Sequence, residues 1–589
     1  MENKNYNKTI MKRLSKSLLQ YKKTVLLIIT LMICTAAIEA LIPYLNKYAI
    51  DEFIVKNNFE NFNLFIIIYI ISIISLSFLV FAFIASAGKL ESVFVYDLRK
   101  KAFEKLQMLS LSYYDKNADG WIISRMTSDI GNIGEKVTWG IVDMIWGTAM
   151  MSFILIIMFA INIKLTLVIV ALMPIIMIVS SYFQNKLLVA YRKIRKLNSL
   201  VTGRIAESIS GIVATKVLVS EKQNFIEFEK ITDNMRTSSI KAAVSSAVYL
   251  SVVIIISSIG TALAIYFGGN GVIMETVSYG TFVMFLTYTR HFFEPIKEIA
   301  RVLAEFKTAQ ASIERVYGLI DEKTDINDTK DVIEKYGDMI NKKTENWDEV
   351  IGKVEFKNLK FHYNEKEPIF NDFNLTVESG SKIAIVGETG SGKSTLINIV
   401  SRFYEPISGT VYIDNIDYKE RSISWLHSNI GYVLQDPHLF SGTIRENIRY
   451  GNLNADDEKI IEISKLVNAH EFIMKKEGNY DYAVGENGNL LSTGEKQLIS
   501  FARAIISNPK IFVLDEATSS IDTETEYMIQ KAIDNITKNR TSFIVAHRLS
   551  TIVDADKILV MKQGEIIEAG THEELLINKG YYHSLYKIS

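Results

Sequence analysis

The stretch Gly387-Glu388-Thr389-Gly390-Ser391-Gly392-Lys393-Ser394-Thr395 decides the fold of the second half of the chain. An apolar run precedes it at 382–386, and a helical pattern begins at Leu396. The spacing G-x-x-x-x-G-K-[ST] in this setting predicts a strand, a tight turn and a helix whose backbone N–H groups and positive dipole end face one concavity. A nucleotide polyphosphate fits there. Lys393 is expected to reach its β- and γ-phosphates, and the hydroxyl of Ser394 to ligate Mg²⁺.

The composition indicates that the first half of the chain lies in a membrane. Apolar residues make up 48% of the 589 residues and the mean hydropathy is +0.15, although the formal net charge is only −1. The hydrophobicity is concentrated in the first half. The single cysteine, Cys34, excludes a disulfide framework and a thiolate metal cluster within the chain. The balanced charge favours no nucleic-acid partner, and the lysine-rich N-terminus lacks the cleavage site of a signal peptide.

Six runs are long and apolar enough to be transmembrane helices, since about 20 apolar residues cross the ~30 Å hydrocarbon layer. They are 25–49, 61–88, 137–163, 165–190, 242–268 and 276–303. The sixth contains Arg290, His291 and Pro295 and is the weakest by hydropathy. Lysine and arginine crowd the N-terminus and two of the connecting segments, so the positive-inside rule places the N-terminus in the cytosol. An even number of spans then places the phosphate loop in the cytosol as well, where ATP is.

The two basic connecting segments, 89–136 and 186–241, are too long for turns and too poor in Gly and Pro for loops. Each is predicted to form two helical arms of about 24 residues, which reach ~35 Å beyond the membrane. The tips are expected at 113–120 and 210–212, where turn-forming residues occur. The alternative is a solvated helical hairpin without a partner. The predicted domains are a membrane domain at 1–320, a polar linker at 321–350 and an α/β domain at 351–589.

Polar or aromatic residues follow several predicted strands of the second half. Asp515 and Glu516 end one apolar strand, where Asp515 suits Mg²⁺ coordination and Glu516 suits positioning of the attacking water. Gln435 ends a second strand and could join the Mg²⁺ shell. His547 ends a third, and a lone histidine is usually structural, but the carboxyl ends of strands bind the ligands of open α/β sheets, which favours a γ-phosphate contact. Tyr363 ends an early strand and could stack on adenine, although strand aromatics are more often core residues.

The stretch Leu491-Ser492-Thr493-Gly494-Glu495-Lys496-Gln497 resembles the signature motif of ABC transporters. The phosphate loop then resembles the Walker A motif of that family, and the membrane half resembles the exporter fold of six helices with long intracellular arms. The fold class implied is a membrane domain of six transmembrane helices with long cytosolic extensions, fused to an α/β ABC nucleotide-binding domain. The other matching family positions are the A-loop Tyr363, Q-loop Gln435, exporter loop 484–488, Walker B Asp515 and Glu516, D-loop Asp522 and H-loop His547.

The resemblance implies a dimer in which each ATP lies between the Walker A motif of one subunit and the signature of the other. Ser492, Gly494, Glu495 and Asp522 would then contact the second nucleotide. The usual Leu-Ser-Gly-Gly-Gln is Leu-Ser-Thr-Gly-Glu here: Thr493 adds a Cβ where backbone must approach phosphate, and Glu495 adds a carboxylate near an anion. A full catalytic set beside an altered signature is similar to one half of the heterodimeric multidrug exporters of Gram-positive bacteria. A homodimer with two tolerant sites is the alternative.

The resemblance predicts an ATP-driven exporter of hydrophobic drugs, which could be cationic, in a bacterial plasma membrane, with lipid or peptide cargo as the alternative. An ATP-gated sensor without transport is a further alternative, which the complete catalytic set disfavours. Glu39, Asp143, Arg290 and His291 lie at membrane depth, where charge usually faces a cavity or a partner. Arg290 could instead pair with Glu294, four residues on. Four methionines and two tryptophans could form an adaptable cavity wall, or simply pack: Met144, Met150, Met151, Met158, Trp139 and Trp146.

Overall fold

A computed structural model describes residues 13–14, 16–339, 341–365, 367–515, 523–545 and 552–588. The chain forms two compact units. The first comprises 1–107 and 118–322, and the regular secondary structure of its described residues is helical. The second comprises 108–117 and 323–589 and contains two β-sheets.

Long helices dominate the chain before the first strand. In order they are α1 (Lys22–Ala49), α2 (Phe62–Met108), α3 (Leu111–Lys116), α4 (Asp119–Ser124), α5 (Ile130–Ile161), α6 (Ile163–Val170), α7 (Met173–Ser210), α8 (Ile212–Val217), α9 (Glu221–Ile273), α10 (Tyr279–Asp321) and α11 (Lys330–Tyr336). Short π-helical segments extend α1 at Ile50–Val55 and join α4 to α5 at Arg125–Asp129.

Five helical stretches of the described chain are long and apolar enough to cross a membrane. They are Lys16–Val55, Phe62–Met108, Asp119–Ile161, Ile163–Ser210 and Glu221–Ile273. Each overlaps one of the first five predicted spans. All but the first three residues of the sixth predicted span lie in α10, a continuous 43-residue helix that is too polar to belong to this group. The membrane half therefore has five strongly apolar helices and a sixth of mixed character.

The predicted arms are helical. Helix α2 runs on from Gly88 to Met108 without interruption, which is about 30 Å at 1.5 Å per residue. Short helices form the tips: α3 follows the first arm, and α8 lies between α7 and α9. The tip helix α3 belongs to the second unit, because the contacts of 108–117 are mainly with residues after 323.

Helix α10 is joined to the start of α5 by a buried acidic residue. The Asp129 carboxylate accepts hydrogen bonds from Ser312 Oγ at 2.8 Å and from Arg315 Nε at 2.7 Å. Hydrogen bonds from a guanidinium and a hydroxyl both favour the ionised carboxylate. The charged form is thus the stable one between these two helices.

The second unit holds ten strands and nine further helices among its described residues. The strands are β1 (Val354–His362), β2 (Pro368–Val377), β3 (Lys382–Val386), β4 (Ser408–Ile413), β5 (Ile416–Asp417), β6 (Ile430–Val433), β7 (Ile511–Asp515), β8 (Thr541–Val545), β9 (Lys557–Lys562) and β10 (Glu565–Gly570). The helices are α12 (Lys393–Val400), α13 (Ile423–Asn429), α14 (Ile444–Arg449), α15 (Asp457–Leu466), α16 (His470–Met474), α17 (Thr493–Ile505), α18 (Thr523–Thr537), α19 (His572–Ile577) and α20 (Tyr581–Ile588).

The larger sheet is parallel except at one edge. Its strand order is β10-β9-β3-β8-β7-β6, and only β10 runs antiparallel to its neighbour. Along β3, Ala384 and Val386 enter one hydrophobic core while Ile383 and Ile385 enter the other. Both faces are therefore covered, which explains why these strands read as continuous apolar runs. A smaller antiparallel sheet, in the order β2-β1-β4-β5, packs in the second core.

The predicted linker, 321–350, contains the short helix α11 and is anchored by a buried ion pair. Asp328 accepts a hydrogen bond from Arg402 Nη1 at 3.0 Å, and only 2% of the Arg402 side chain is exposed. Glu405 pairs with the same guanidinium at 2.8 Å. A guanidinium this deeply buried depends on its carboxylate partners.

We expect Asp328→Ala to destabilise the second unit by about 3 kcal/mol, because the substitution leaves Arg402 buried with one carboxylate fewer. Differential scanning fluorimetry of the purified protein should show a lower unfolding midpoint. Glu334→Ala is the matched control, since it removes an exposed carboxylate from the same linker and should change stability by less than about 0.5 kcal/mol. Equal midpoints for the two variants would contradict the role of the ion pair.

Candidate nucleotide-binding site

The phosphate loop has the predicted strand, turn and helix. Strand β3 ends at Val386 and helix α12 begins at Lys393. Gly387 has a φ of +151°, and a Cβ placed on it would lie 2.2 Å from the carbonyl oxygen of Met561. Gly392 has a φ of +101° and also requires the conformational freedom of glycine. The loop can therefore turn tightly enough to present its backbone to a ligand.

Lys393 is held over this loop. Its side chain is buried, and Nζ donates to the carbonyl oxygens of Gly387 and Glu388, both at 2.8 Å. Burial lowers the pKa of Lys393, and the nearby Asp515 carboxylate opposes that shift. The ammonium group is thus positioned beside the glycine turn by two carbonyl groups that a phosphate oxygen could replace.

The loop fits a polyphosphate ligand. Ser391 Oγ is buried and has no hydrogen-bond partner among the described residues, so it is a donor in need of an acceptor. The Ser391 carbonyl accepts a hydrogen bond from the Gly564 amide at 3.0 Å, which fixes the loop from behind. The Ser394 side chain at the start of α12 is exposed and accessible to a bound metal. Free donors, a buried ammonium and a helix N-terminus together suit an anionic group.

Two of the predicted strand-end residues lie at the edge of the sheet that carries the loop. Asp515 is the last residue of β7 and pairs in register with Val545, the last residue of β8. Gln435 lies two residues beyond β6 and is exposed. Strands β3, β8, β7 and β6 are parallel neighbours, so their carboxyl ends meet at one edge, as expected. Glu516, Asp522 and His547, to which the sequence assigned three further roles, lie outside the described residues.

Tyr363 follows directly after β1, and its side chain is 46% exposed. Its ring contacts Phe361 edge to face at a centroid distance of 4.9 Å, and Tyr404 at 5.0 Å. An exposed aromatic face held from behind by two other rings is able to stack on a planar base. Sequence reasoning found Tyr363 but missed Tyr404, which lies far from it in the chain.

The signature stretch forms the N-terminus of helix α17. Ser492 is its N-cap: Ser492 Oγ accepts from the Glu495 amide, and the Glu495 carboxylate accepts from the Ser492 amide at 2.9 Å. Lys476 Nζ lies 2.9 Å from the same carboxylate. The negative charge of Glu495, which the sequence placed near an anion, is therefore paired with Lys476 within the chain. The Thr493 side chain is exposed and Gly494 is buried.

Family comparisons agree with this geometry. The profile of the ABC transporter transmembrane region matches residues 25–296, and the ABC transporter profile matches residues 370–519. The Bacillus subtilis (strain 168) ABC transporter ATP-binding protein YknV, which is uncharacterized, is 35% identical over 587 residues, covering 99% of this chain and 95% of YknV. The chain belongs to the ABC transporters. It is a half-transporter, with one transmembrane domain and one ATP-binding domain, and its ATP hydrolysis is coupled to transport.

Other relatives are similar over nearly the whole length. The B. subtilis protein named "Putative multidrug export ATP-binding/permease protein YgaD" is 34% identical over 587 residues, covering 98% of this chain and 99% of that protein. A bacterial Atm1-family ABC exporter solved with ATP bound has the same fold, with a TM-score of 0.80 and 24% identity, covering 96% of this chain and 98% of that one. The transporter therefore has the helical membrane domain and α/β nucleotide-binding domain that its motifs predicted.

Two of the four charged or polar residues predicted at membrane depth are bonded to other side chains. The Glu39 carboxylate accepts from Trp146 Nε1 at 2.8 Å, and Asp143 accepts from Arg301 Nη2 at 2.7 Å. Arg290 and His291 are exposed, and within the described part of the transporter Arg290 forms no ion pair with Glu294. The i, i+4 pairing that the sequence allowed is thus not formed, while the Asp143–Arg301 pair, which the sequence missed, is.

The proposed cavity-wall residues are divided between packing and hydrogen bonding. Met150 and Met158 are buried in the helical core, so they pack rather than line an open surface. Trp139 and Trp146 both use their indole N–H groups, the former to donate to Glu91 at 2.9 Å. Met151 is half-buried and lines a cavity.

We expect Lys393→Ala to weaken ATP binding about 30-fold, because a charge-assisted contact of about 2 kcal/mol is lost. Titration of the purified transporter with a fluorescent ATP analogue measures the dissociation constant. Lys510→Ala is the matched control: Lys510 is exposed at the opposite end of β7, and its removal should leave affinity unchanged. Unaltered affinity in Lys393→Ala would remove this residue from the phosphate site.

Proposed function

We propose that the transporter is one subunit of a bacterial plasma-membrane exporter that uses ATP to move hydrophobic compounds out of the cytosol or the inner leaflet. The observation that carries this proposal is a phosphate loop and a capped signature helix in one chain with five strongly apolar helices. The excess of lysine and arginine in alternate connecting segments supports a cytosolic N-terminus and a cytosolic nucleotide-binding domain. The name of YgaD points to drugs among the possible cargoes.

The proposed catalytic site uses residues from the strand ends around the phosphate loop. When bound, Mg²⁺-ATP supplies the phosphoryl group whose hydrolysis drives transport. Lys393 binds the phosphates, and Ser394, Gln435 and Asp515 provide oxygen atoms suited to Mg²⁺. Glu516 orients and polarises the attacking water, and His547 holds the γ-phosphate end in place. Tyr363 stacks on the adenine ring.

Glu516→Gln should leave ATP binding intact and lower ATP turnover of the assembled transporter at least about 100-fold, because the amide cannot accept a proton from water. Phosphate release measures turnover, and a fluorescent ATP analogue measures binding. Glu565→Gln, an exposed position on β10, should change neither. Turnover near the wild-type rate in Glu516→Gln would show that another group acts as the base.

The assembly we propose is a heterodimer with one active and one degenerate ATP site. A partner with an intact signature would complete the active site, while Ser492, Gly494, Glu495 and Asp522 of this chain would contact the second nucleotide. Thr493 is the residue that impairs this second site, because its Cβ lies at the helix N-terminus where backbone must approach phosphate. The pairing of Glu495 with Lys476 favours the second candidate, a homodimer with two tolerant sites, since it removes one source of repulsion.

The ATPase activity of this subunit expressed alone distinguishes the heterodimer from the homodimer. If the heterodimer is correct, the lone subunit should show little ATPase stimulation by hydrophobic dyes, and Thr493→Gly should raise its basal ATPase several-fold. Glu471→Gln is the control: Glu471 is exposed on α16, outside the signature stretch, so the rate should stay within about 2-fold. Strong dye-stimulated ATPase from the unmodified lone subunit would defeat the heterodimer and support the homodimer.

The nature of the cargo is suggested by a cavity among α5, α7 and α10. Its volume is about 410 Å³, and no charged residue lines it. Methionine and leucine side chains form much of its wall, together with hydroxyl and amide groups: Met151, Met173, Met177, Leu303, Ser180 and Gln184. A lining of this kind suits an uncharged hydrophobic ligand with a few polar atoms better than a cation. Lipid or peptide cargo remains the alternative.

A further inference from the structure

Three aromatic rings form a cluster at the end of β1. Tyr404 packs edge to face on Tyr363, with centroids 5.0 Å apart and ring planes at 90°, and on Phe361 at 5.8 Å. Phe361 is buried in β1, whereas Tyr363 is nearly half exposed. Among the described aromatic residues, Phe361 and Tyr404 are the rings that contact Tyr363. Tyr404 therefore restricts the orientations that the exposed ring of Tyr363 can adopt.

The hydroxyl of Tyr404 makes a second, separate contact. It donates a hydrogen bond to the carboxylate of Asp115 in the tip helix α3. Burial, together with this bond to Asp115, raises the pKa of Tyr404, so the hydroxyl stays a donor at neutral pH. The same helix is tied to the linker, because Ser112 Oγ donates to Asp325 at 2.5 Å. One side chain thus contacts both Tyr363 and the tip of the first arm.

We propose that Tyr404 is a positioning residue that holds Tyr363 in the orientation for base stacking and links that orientation to the tip helix α3. The inference rests on the proposed adenine contact of Tyr363. The two parts of the Tyr404 side chain have different tasks: the ring supports Tyr363, and the hydroxyl binds Asp115. Nucleotide binding at this site therefore stabilises the docked tip, and a docked tip in turn favours binding of the base.

Two substitutions separate these tasks. Tyr404→Phe keeps the ring and removes only the bond to Asp115. Tyr404→Leu removes the ring contacts as well. Tyr412→Phe is the matched control, because Tyr412 lies on β4 of the same unit and its ring is outside the cluster.

Binding is measured on the full-length transporter in lipid nanodiscs, with ATP and with inorganic tripolyphosphate as competitors of a fluorescent ATP analogue. Tripolyphosphate occupies the phosphate loop but has no base. We expect Tyr404→Leu to weaken ATP at least about 5-fold and tripolyphosphate less than about 2-fold, since stacking is lost and the loop is intact. Equal weakening of both competitors would indicate a general structural defect and overturn the positioning role, as would unchanged ATP affinity.

The link to the arm is measured by hydrogen–deuterium exchange without nucleotide. Tyr404→Phe should accelerate amide exchange in the tip segment 108–117 while leaving ATP affinity within about 2-fold of wild type. Asp115→Leu should accelerate exchange equally, and the double variant should add nothing, because both changes remove one bond. Exchange equal to wild type in Tyr404→Phe, or equal to that of Tyr412→Phe, would overturn the link.

Tyr363→Leu distinguishes failure of this inference from failure of the proposed function. If that variant binds ATP as well as wild type does, the adenine contact itself is wrong. If it weakens ATP selectively while Tyr404→Leu does not, the adenine contact stands and the positioning role of Tyr404 is overturned.

Discussion

The close approach of two backbone segments behind the phosphate loop constrains the whole second unit. Gly387 lies against the Met561 carbonyl with no room for a Cβ, and the Gly564 amide donates to Ser391 of the loop. Strand β9 and the turn after it must therefore lie beside β3, as the sheet order requires. The edge formed by β3, β8, β7 and β6 then brings the Asp515 carboxylate near Lys393.

Local patterns in the sequence predicted helices and strands, but they did not predict contacts between side chains that are far apart in the chain. Strand β3 has the bounds that its apolar run predicted, because a fully buried parallel strand depends on its own five residues. By contrast, Asp143 and Arg301 are 158 positions apart, and Tyr404 and Asp115 are 289 apart. Spacing carries no information about such pairs. Even the favourable i, i+4 spacing of Arg290 and Glu294 only permits a contact that the helix does not form.

The signature helix shows why a departure from a family motif needs its structural environment. Read as a residue type, Glu495 places a negative charge where an anion is expected to bind. In the fold it completes a capping box with Ser492, a task that glutamine also performs, and Lys476 neutralises it from outside the motif. The replacement of glutamine by Glu495 therefore changes the chemistry of the motif less than the residue types suggest. The replacement of glycine by Thr493, which is exposed at the same helix end, is the larger steric change.

Two of the three connections between the units fall at the ends of long helices. The backbone passes between them three times, after residues 107, 117 and 322. The first and last crossings fall at the ends of α2 and α10, continuous helices of 47 and 43 residues. Such helices are stiff along their axes, because every turn is braced by backbone hydrogen bonds. The chain is helical up to, or within one residue of, both of these crossings.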